Sequence, residues 1–297
     1  KISEGVFAGN SALTKITIGA NVQEIGARAF RDCTNLQTIV FTEGGKQLTI
    51  GEYAFDGCVL VRTLKLPAHT KSIGANAFSE MSLLQSVTLN EGLESIGTQA
   101  FYWDTSLNNV EIPSTVTSLG EFVFRWAKSL KNVSFAEGSA ITEIGKNAFA
   151  ESYITSITIP KSVKTIGEGA FANNEALQYV YFEENGVLEK IGIEAFAYTA
   201  LISIEIPKTV TAIAPYAFRS CSSLTTLAFE DGGTADLTIG ALDESKASTG
   251  ATQPLYGYTF SNCYKLKEIH FPARLTEIGQ NTFRQCSAVT AISFGGE

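Results

Sequence analysis

Twelve phenylalanines recur along the chain at nearly constant spacing: Phe7, Phe30, Phe55, Phe78, Phe101, Phe124, Phe149, Phe171, Phe196, Phe218, Phe260 and Phe283. Successive intervals are 22, 23 or 25 residues, with one of 42 between Phe218 and Phe260. A fixed period of this length marks a solenoid, in which one short unit stacks on copies of itself. It argues against an enzyme, because most of the sequence is spent on repeating its own core.

The unit is legible in Ile25-Gly26-Ala27-Arg28-Ala29-Phe30, which continues through Cys33, Leu36, Ile39 and Phe41. The same skeleton returns at Ile96, Gly97, Phe101, Leu107, Val110 and Ile112, and again at Ile278, Gly279, Phe283, Cys286, Val289, Ile292 and Phe294. Its Leu-to-Phe stretch has the alternation of a half-buried strand, with Leu36, Ile39 and Phe41 inward and Thr38 and Val40 outward. Proline follows at Pro67, Pro113, Pro160, Pro207 and Pro272, where it stops the ladder and turns the chain. Apolar pairs such as Val116 with Leu119 then suit a short extended or turn-like segment on the opposite wall. The glycine of each Ile-Gly pair is expected to take a backbone angle that other residues resist. The Ala-Phe-x-x-Cys piece is too short for a full helix, and one turn of α or 3-10 helix is expected there. A single unit cannot fold alone. Ordering it costs more than its few buried side chains return, so stacking must supply the rest.

The unit L-x-x-[IV]-x-[IF]-P-x-x-[VL]-x-x-I-G-x-x-A-F-x-x-C resembles the BspA-type leucine-rich repeat, found in many bacterial surface proteins. The match runs over essentially the whole chain. Departures are local: Ala214 stands in for the glycine of one unit, Val123 for the alanine of another, and the cysteine column is mostly substituted. The resemblance implies a repeat solenoid, right-handed and curved, with short parallel strands on the concave face and short turns, 3-10 or single-turn helices on the convex side. It also implies adhesion or protein binding at an extracellular or cell-surface location.

About twelve units run from end to end, so residues 1–297 are expected to form a single leucine-rich repeat domain. The long interval holds a polar, aperiodic segment, expected as a surface loop over about 241–257. Both ends look cut within the array or at its boundary: the chain begins at Lys1 and stops at Glu297 right after a strand, and it carries no export signal. The net charge of −8, without a basic block, argues against nucleic acid as a partner. No apolar run approaches the roughly 20 residues of a membrane span, so no membrane insertion is expected in this segment.

The five cysteines, Cys33, Cys58, Cys221, Cys263 and Cys286, all lie three residues after the phenylalanine. An odd number in one column is not a disulfide framework, and free buried thiols in a small apolar position are expected. Other units place Asn10, Met81, Asp104, Ala127, Ser152, Asn174 and Thr199 there. No C-x-x-C, H-E-x-x-H or G-x-S-x-G occurs, and His69 and His270 sit in other columns. No metal, cofactor or catalytic centre is therefore expected.

Binding is the better expectation, and the outward strand positions are the place for it. They are mostly Ser, Thr and Asn. Tyr179 and Tyr181 face outward on one strand and are candidate anchors, with Lys65, Glu111, Glu205 and His270 as polar candidates on the same concave face. Bulky residues that simply fill an exposed strand are the competing explanation. On the convex side Trp103 and Trp126 occupy equivalent places in consecutive units, with Tyr102 beside the first. They form a candidate aromatic patch, against local packing between two coils. The expected function is a protein-binding or adhesion module for a host, neighbouring-cell or matrix protein, with a glycan as a further candidate. The alternative is a structural spacer that presents another domain.

Overall fold

The computed structural model describes residues 1–241 and 257–295. The fold is a β-solenoid of about twelve turns built on parallel sheets. Its residues fall into two compact units, Lys1–Ile154 and Thr155–Glu297. The expected loop over about 241–257 lies, apart from its two end residues, outside the described residues.

In the first unit the outward-facing strands are Lys15–Ile18 paired with Thr38–Phe41, and Thr63–Lys65, Ser86–Thr88, Asn109–Ile112 and Asn132–Phe135 in one parallel series. The register is residue for residue with the repeat, as in Ile16 opposite Ile39 and Val110 opposite Val133. After each strand that ends in proline, a turn closes at once. The Val116 N–H donates to the Pro113 carbonyl at 3.1 Å, and the Thr70 N–H to that of Pro67 at 2.9 Å. The opposite wall is a second parallel sheet of shorter strands: Glu24–Ile25, Leu48–Ile50, Thr70–Ile73, Ser95–Ile96 and Ser118–Leu119.

The second unit repeats this plan. Ser156–Ile159, Tyr179–Phe182, Ser203–Ile206, Thr226–Phe229, Glu268–Phe271 and Ala291–Phe294 pair in parallel. Thr165–Ile166, Lys190–Ile191, Ala212–Ile213, Leu237–Ile239 and Leu275–Ile278 form the opposite wall. Across the long interval, the Gly257 N–H donates to the Gly240 carbonyl at 2.9 Å. The 42-residue interval therefore leaves the ring column intact, with Phe218 and Phe260 stacked at 4.9 Å.

Within each unit the column phenylalanines stack ring on ring. Phe101 lies 5.5 Å from Phe78 and 5.3 Å from Phe124, and Phe196 lies 5.3 Å from both Phe171 and Phe218. Between them they exclude water from the centre of the coil, and most are fully buried.

The third wall departs from the sequence expectation. No helix occurs among the described residues, and the segment around each phenylalanine is a run of turns. Two residues before and two after the phenylalanine the backbone is left-handed: Arg28 at φ 55 and Asp32 at 57, Gln99 at 58 and Trp103 at 63, Tyr216 at 62 and Ser220 at 58. These angles send alternate N–H groups along the stack. Those of Arg28, Phe30 and Asp32 donate to Glu52, Ala54 and Asp56 of the next coil, each at 2.8 Å. Those of Ala29, Arg31 and Cys33 close turns within their own coil at 3.1–3.2 Å. A helix would spend all these donors locally and leave the coils unlinked on this side.

The glycine of each Ile-Gly pair is also explained differently. Its φ is not left-handed at positions 26, 51, 74, 97, 120, 145, 192 and 279, Gly240 being the exception at φ 67. Instead its Cα lies against the backbone of the preceding coil. A Cβ built on any of those eight would come within 2.0–2.8 Å of that backbone. The N–H groups at positions 26, 51, 74, 97, 120, 192 and 279 also bond across the coils, as that of Gly97 does to the Ile73 carbonyl at 2.8 Å. A missing side chain, not an unusual angle, is what the position requires.

Candidate binding surfaces

In the second unit, neighbours of small size leave Tyr179 and Tyr181 standing proud of the sheet. Ser156 and Ser203 flank Tyr179 in the ladder, and Thr158 is opposite Tyr181. The two rings are near parallel at 14° with centroids 6.2 Å apart, and are 38% and 54% exposed. They line a cleft of about 660 Å³ whose floor includes Ser203, Glu205, Thr226 and Ala228. Its rim is the turn from Glu183 to Gly186 together with Lys208 and Glu230. A depression of this size with two exposed aromatic rings can seat a side chain or a short stretch of main chain.

His270 stands in an adjoining cleft of about 1030 Å³ that shares Thr226 and Ala228 with the first. Its Nδ1 is 2.8 Å from the Ser293 Oγ, and its Nε2 is 3.8 Å from Glu268. The structure thus gathers Tyr179, Tyr181, Glu205 and His270 on one face. Lys65 and Glu111 belong to the first unit, where both are exposed and Lys65 lies 3.6 Å from Glu43. Neither lines either cleft. Sequence reasoning missed Glu183, Glu184, Glu230 and Lys208 as members of this face. Their one signal is their place in the turn that follows a strand.

Trp103 and Trp126, on the turn wall of the first unit, stack at 5.6 Å and 19°. Tyr102 meets Trp103 edge-on at 5.8 Å, and the Lys128 ammonium lies 4.4 Å from the Trp126 ring centre. Both indoles sit on left-handed residues, at φ 63 and 68, and Trp103 is 47% exposed. A bulky residue in that conformation costs roughly 1–2 kcal/mol. Gly, Asp or Asn takes it at positions 9, 32, 57, 173 and 262, and Glu, Tyr, Ser or Gln at 80, 151, 198, 220 and 285. The mutual stacking offsets part of the cost.

The cysteine column is not simply apolar. The thiols of Cys33, Cys58, Cys221, Cys263 and Cys286 lie 3.2–3.5 Å from a phenylalanine carbonyl of the preceding coil, and the Ser152 hydroxyl does the same at 3.0 Å. Cysteine and serine act here as small donors, whereas Met81 and Ala127 fill the same column without one. All five thiols are free, but Cys286 is only half-buried, which corrects the expectation of five buried thiols. Burial pushes Cys33 and Cys58 up and carries Cys221 to about 11, so these are poor thiolates.

Asp104 occupies the same column and is fully buried. Its Oδ1 accepts the Met81 N–H at 2.9 Å, and its Oδ2 has no partner. Burial, reinforced by Asp56 and Glu80, holds its carboxyl well above the usual carboxylate range. The folded state therefore binds this proton more tightly than the unfolded chain, whose aspartate titrates near about 3.9. Its stabilising contribution is complete below that pH and is lost as pH rises through the folded value. Asp104→Asn keeps the acceptor for Met81 and adds a donor, and Asn174 already fills the equivalent place, fully buried, in another coil. The variant is expected to melt at a higher temperature than the parent at pH 7, with the gap closing near about pH 3.5. A gap independent of pH, read by thermal unfolding, would contradict this account.

The profile of the BspA type leucine rich repeat region matches residues 1–103, 94–225 and 247–297, in six copies. No curated protein sequence matches the chain. Among solved structures it is similar to a leucine-rich repeat protein from Bacteroides ovatus, with TM-score 0.63 and 24% identity over 96% of this chain and 82% of that one. It is also similar to the pneumococcal vaccine antigen PcpA, with TM-score 0.53 and 21% identity over 99% of this chain and 75% of that one. At these identities the likeness speaks for the fold. Among the described residues, no helix is long and apolar enough to cross a membrane.

Proposed function

Because the chain belongs to the BspA-type leucine-rich repeat family, we propose that it is an extracellular or cell-surface binding module that engages a protein partner through the strand face around Tyr179 and Tyr181. The observation that carries this reading is the cleft of about 660 Å³ beside two exposed, near-parallel tyrosines. Nothing in the packing of the coil requires them. Their ladder partners are Ser156, Thr158 and Ser203, and the same columns elsewhere are mostly Ser, Thr and Asn, with no other aromatic ring except the imidazole of His270. Tyrosine offers a large rigid contact at little entropic cost, which is why it recurs among interface hot spots.

The second reading, a glycan-binding surface, rests on the stacked pair of an exposed Trp103 and a half-buried Trp126, both in an unfavourable backbone conformation. One experiment separates the two. The protein is tested against matrix and cell-surface proteins and a glycan array, beside Tyr179→Ala/Tyr181→Ala and Trp103→Ala/Trp126→Ala. A saturable protein ligand that the tyrosine variant binds at least about tenfold more weakly supports the first reading. Glycan binding lost only in the tryptophan variant supports the second. Binding to nothing at micromolar concentration overturns both and leaves a spacer.

A further inference from the structure

We propose that the cleft beside Tyr179 and Tyr181 takes an extended basic segment of a partner protein, with a Lys or Arg side chain laid against the tyrosines and paired to Glu205 and Glu184. This rests on the tyrosine face being a binding site, as proposed above, and adds what it binds.

The charges lining the cleft are Glu183, Glu184, Glu205 and Glu230 against Lys208 alone. Their partners divide them into two sets. Lys208 is spent on Glu230: its ammonium lies 2.7 Å from one carboxylate oxygen and its backbone N–H donates to the other at 3.1 Å. Those two bonds hold the Glu230 carboxyl below its ordinary range. Glu183 accepts the Lys161 N–H at 2.9 Å. No side-chain hydrogen bond or ion pair among the described residues uses Glu184 or Glu205, and none uses the hydroxyls of Tyr179 or Tyr181. The cleft therefore offers two uncommitted carboxylates and two exposed aromatic rings, with its one cation neutralised. Aromatic faces and carboxylates together favour a guanidinium or ammonium group, which draws on both. A neutral or acidic occupant would meet unpaired negative charge instead.

The shape suits an extended chain. The first cleft runs into the second through Thr226 and Ala228, so the depression crosses the strands Tyr179–Phe182, Ser203–Ile206, Thr226–Phe229 and Glu268–Phe271. Three strand spacings of about 4.8 Å make about 14 Å, the reach of about four extended residues. Small side chains at Ser203, Thr226 and Ala228 keep that path open.

The test uses an array of short random peptides, probed with the wild-type protein and with Tyr179→Ala/Tyr181→Ala. Peptides that depend on the tyrosines are expected to carry Lys or Arg. Exchanging the Arg of such a peptide for citrulline, which keeps the shape and removes the charge, is expected to weaken binding about tenfold. Glu184→Gln/Glu205→Gln is expected to weaken the Arg peptide by a similar factor and to abolish the difference from citrulline. Glu137→Gln, an exposed carboxylate of the first unit, should change nothing, which separates this site from the attraction of a chain of net charge −8. Tyrosine-dependent peptides that bind equally well with citrulline would overturn the basic occupant and leave the binding face standing. No tyrosine-dependent peptide at all would overturn both.

Discussion

Phe101→Ala is expected to destabilise the first unit by about 4 kcal/mol, whereas Phe7→Ala is expected to cost about 1 kcal/mol. The two residues hold the same place in the repeat, so sequence position alone gives no reason for the difference. Phe101 is fully buried and has a ring neighbour on each side, at 5.5 and 5.3 Å. Phe7 is 42% exposed and stacks only on Phe30, at 5.2 Å. Truncating Phe101 removes the filling of one coil and also uncovers the facing rings of Phe78 and Phe124. The coils cannot collapse into the gap, because their backbones are fixed by ladders on all three walls. Trp103 and Trp126 report on these coils directly, so urea unfolding followed by their fluorescence is the measurement. With a slope near 2 kcal/mol/M, the midpoint should fall by about 2 M for Phe101→Ala and by about 0.5 M for Phe7→Ala. Equal shifts would mean that the ring column is not the cooperative element of the stack.

That column was legible in the sequence because only one side chain fits it. A large flat ring stacked on its own copies tolerates no substitute, so the period survives in every unit. The strands were legible for a related reason: Leu36 and Ile39 are buried while Thr38 and Val40 face water, and the alternation records it. The left-handed residues two before and two after each phenylalanine left no such record. Arg28, Tyr53, Asn76, Gln99 and Phe122 all adopt the angle, because the inter-coil hydrogen bonds impose it on whatever residue is present. The donor role of the cysteine column did leave a trace, in Ser152, Asn174 and Thr199, polar residues in a position read as apolar. The cleft was the hardest to see. Tyr179, Glu184, Glu205 and Lys208 come from two coils, and only the residue-for-residue register of the ladder brings them to one face.

Gly120→Ala, the addition of one methyl group, is expected to cost about 3 kcal/mol, as much as many core truncations. The new Cβ would lie 2.2 Å from the Thr98 nitrogen and 2.4 Å from the Gly97 carbonyl carbon. Both are backbone atoms and cannot swing aside. The coils must instead part by on the order of 1 Å, which strains the bond from the Gly120 N–H to the Ile96 carbonyl, now 2.8 Å, and loosens the packing around it. Gly138→Ala supplies the contrast. Gly138 is left-handed at φ 74 with nothing within 4 Å of a built Cβ, so alanine there costs only the conformational penalty of about 1 kcal/mol. Were backbone angle the reason for glycine in the Ile-Gly pair, the order would reverse, since Gly120 has an ordinary φ. Ala214 shows where the cost resides. One coil of the second unit carries the methyl naturally and still makes the same bond, from its N–H to the Ile191 carbonyl at 2.8 Å. Alanine is therefore compatible with the ladder where the coil spacing has adjusted around it. Equal unfolding midpoints for Gly120→Ala and Gly138→Ala would show that the first unit makes the same adjustment for no more than the conformational penalty at Gly138.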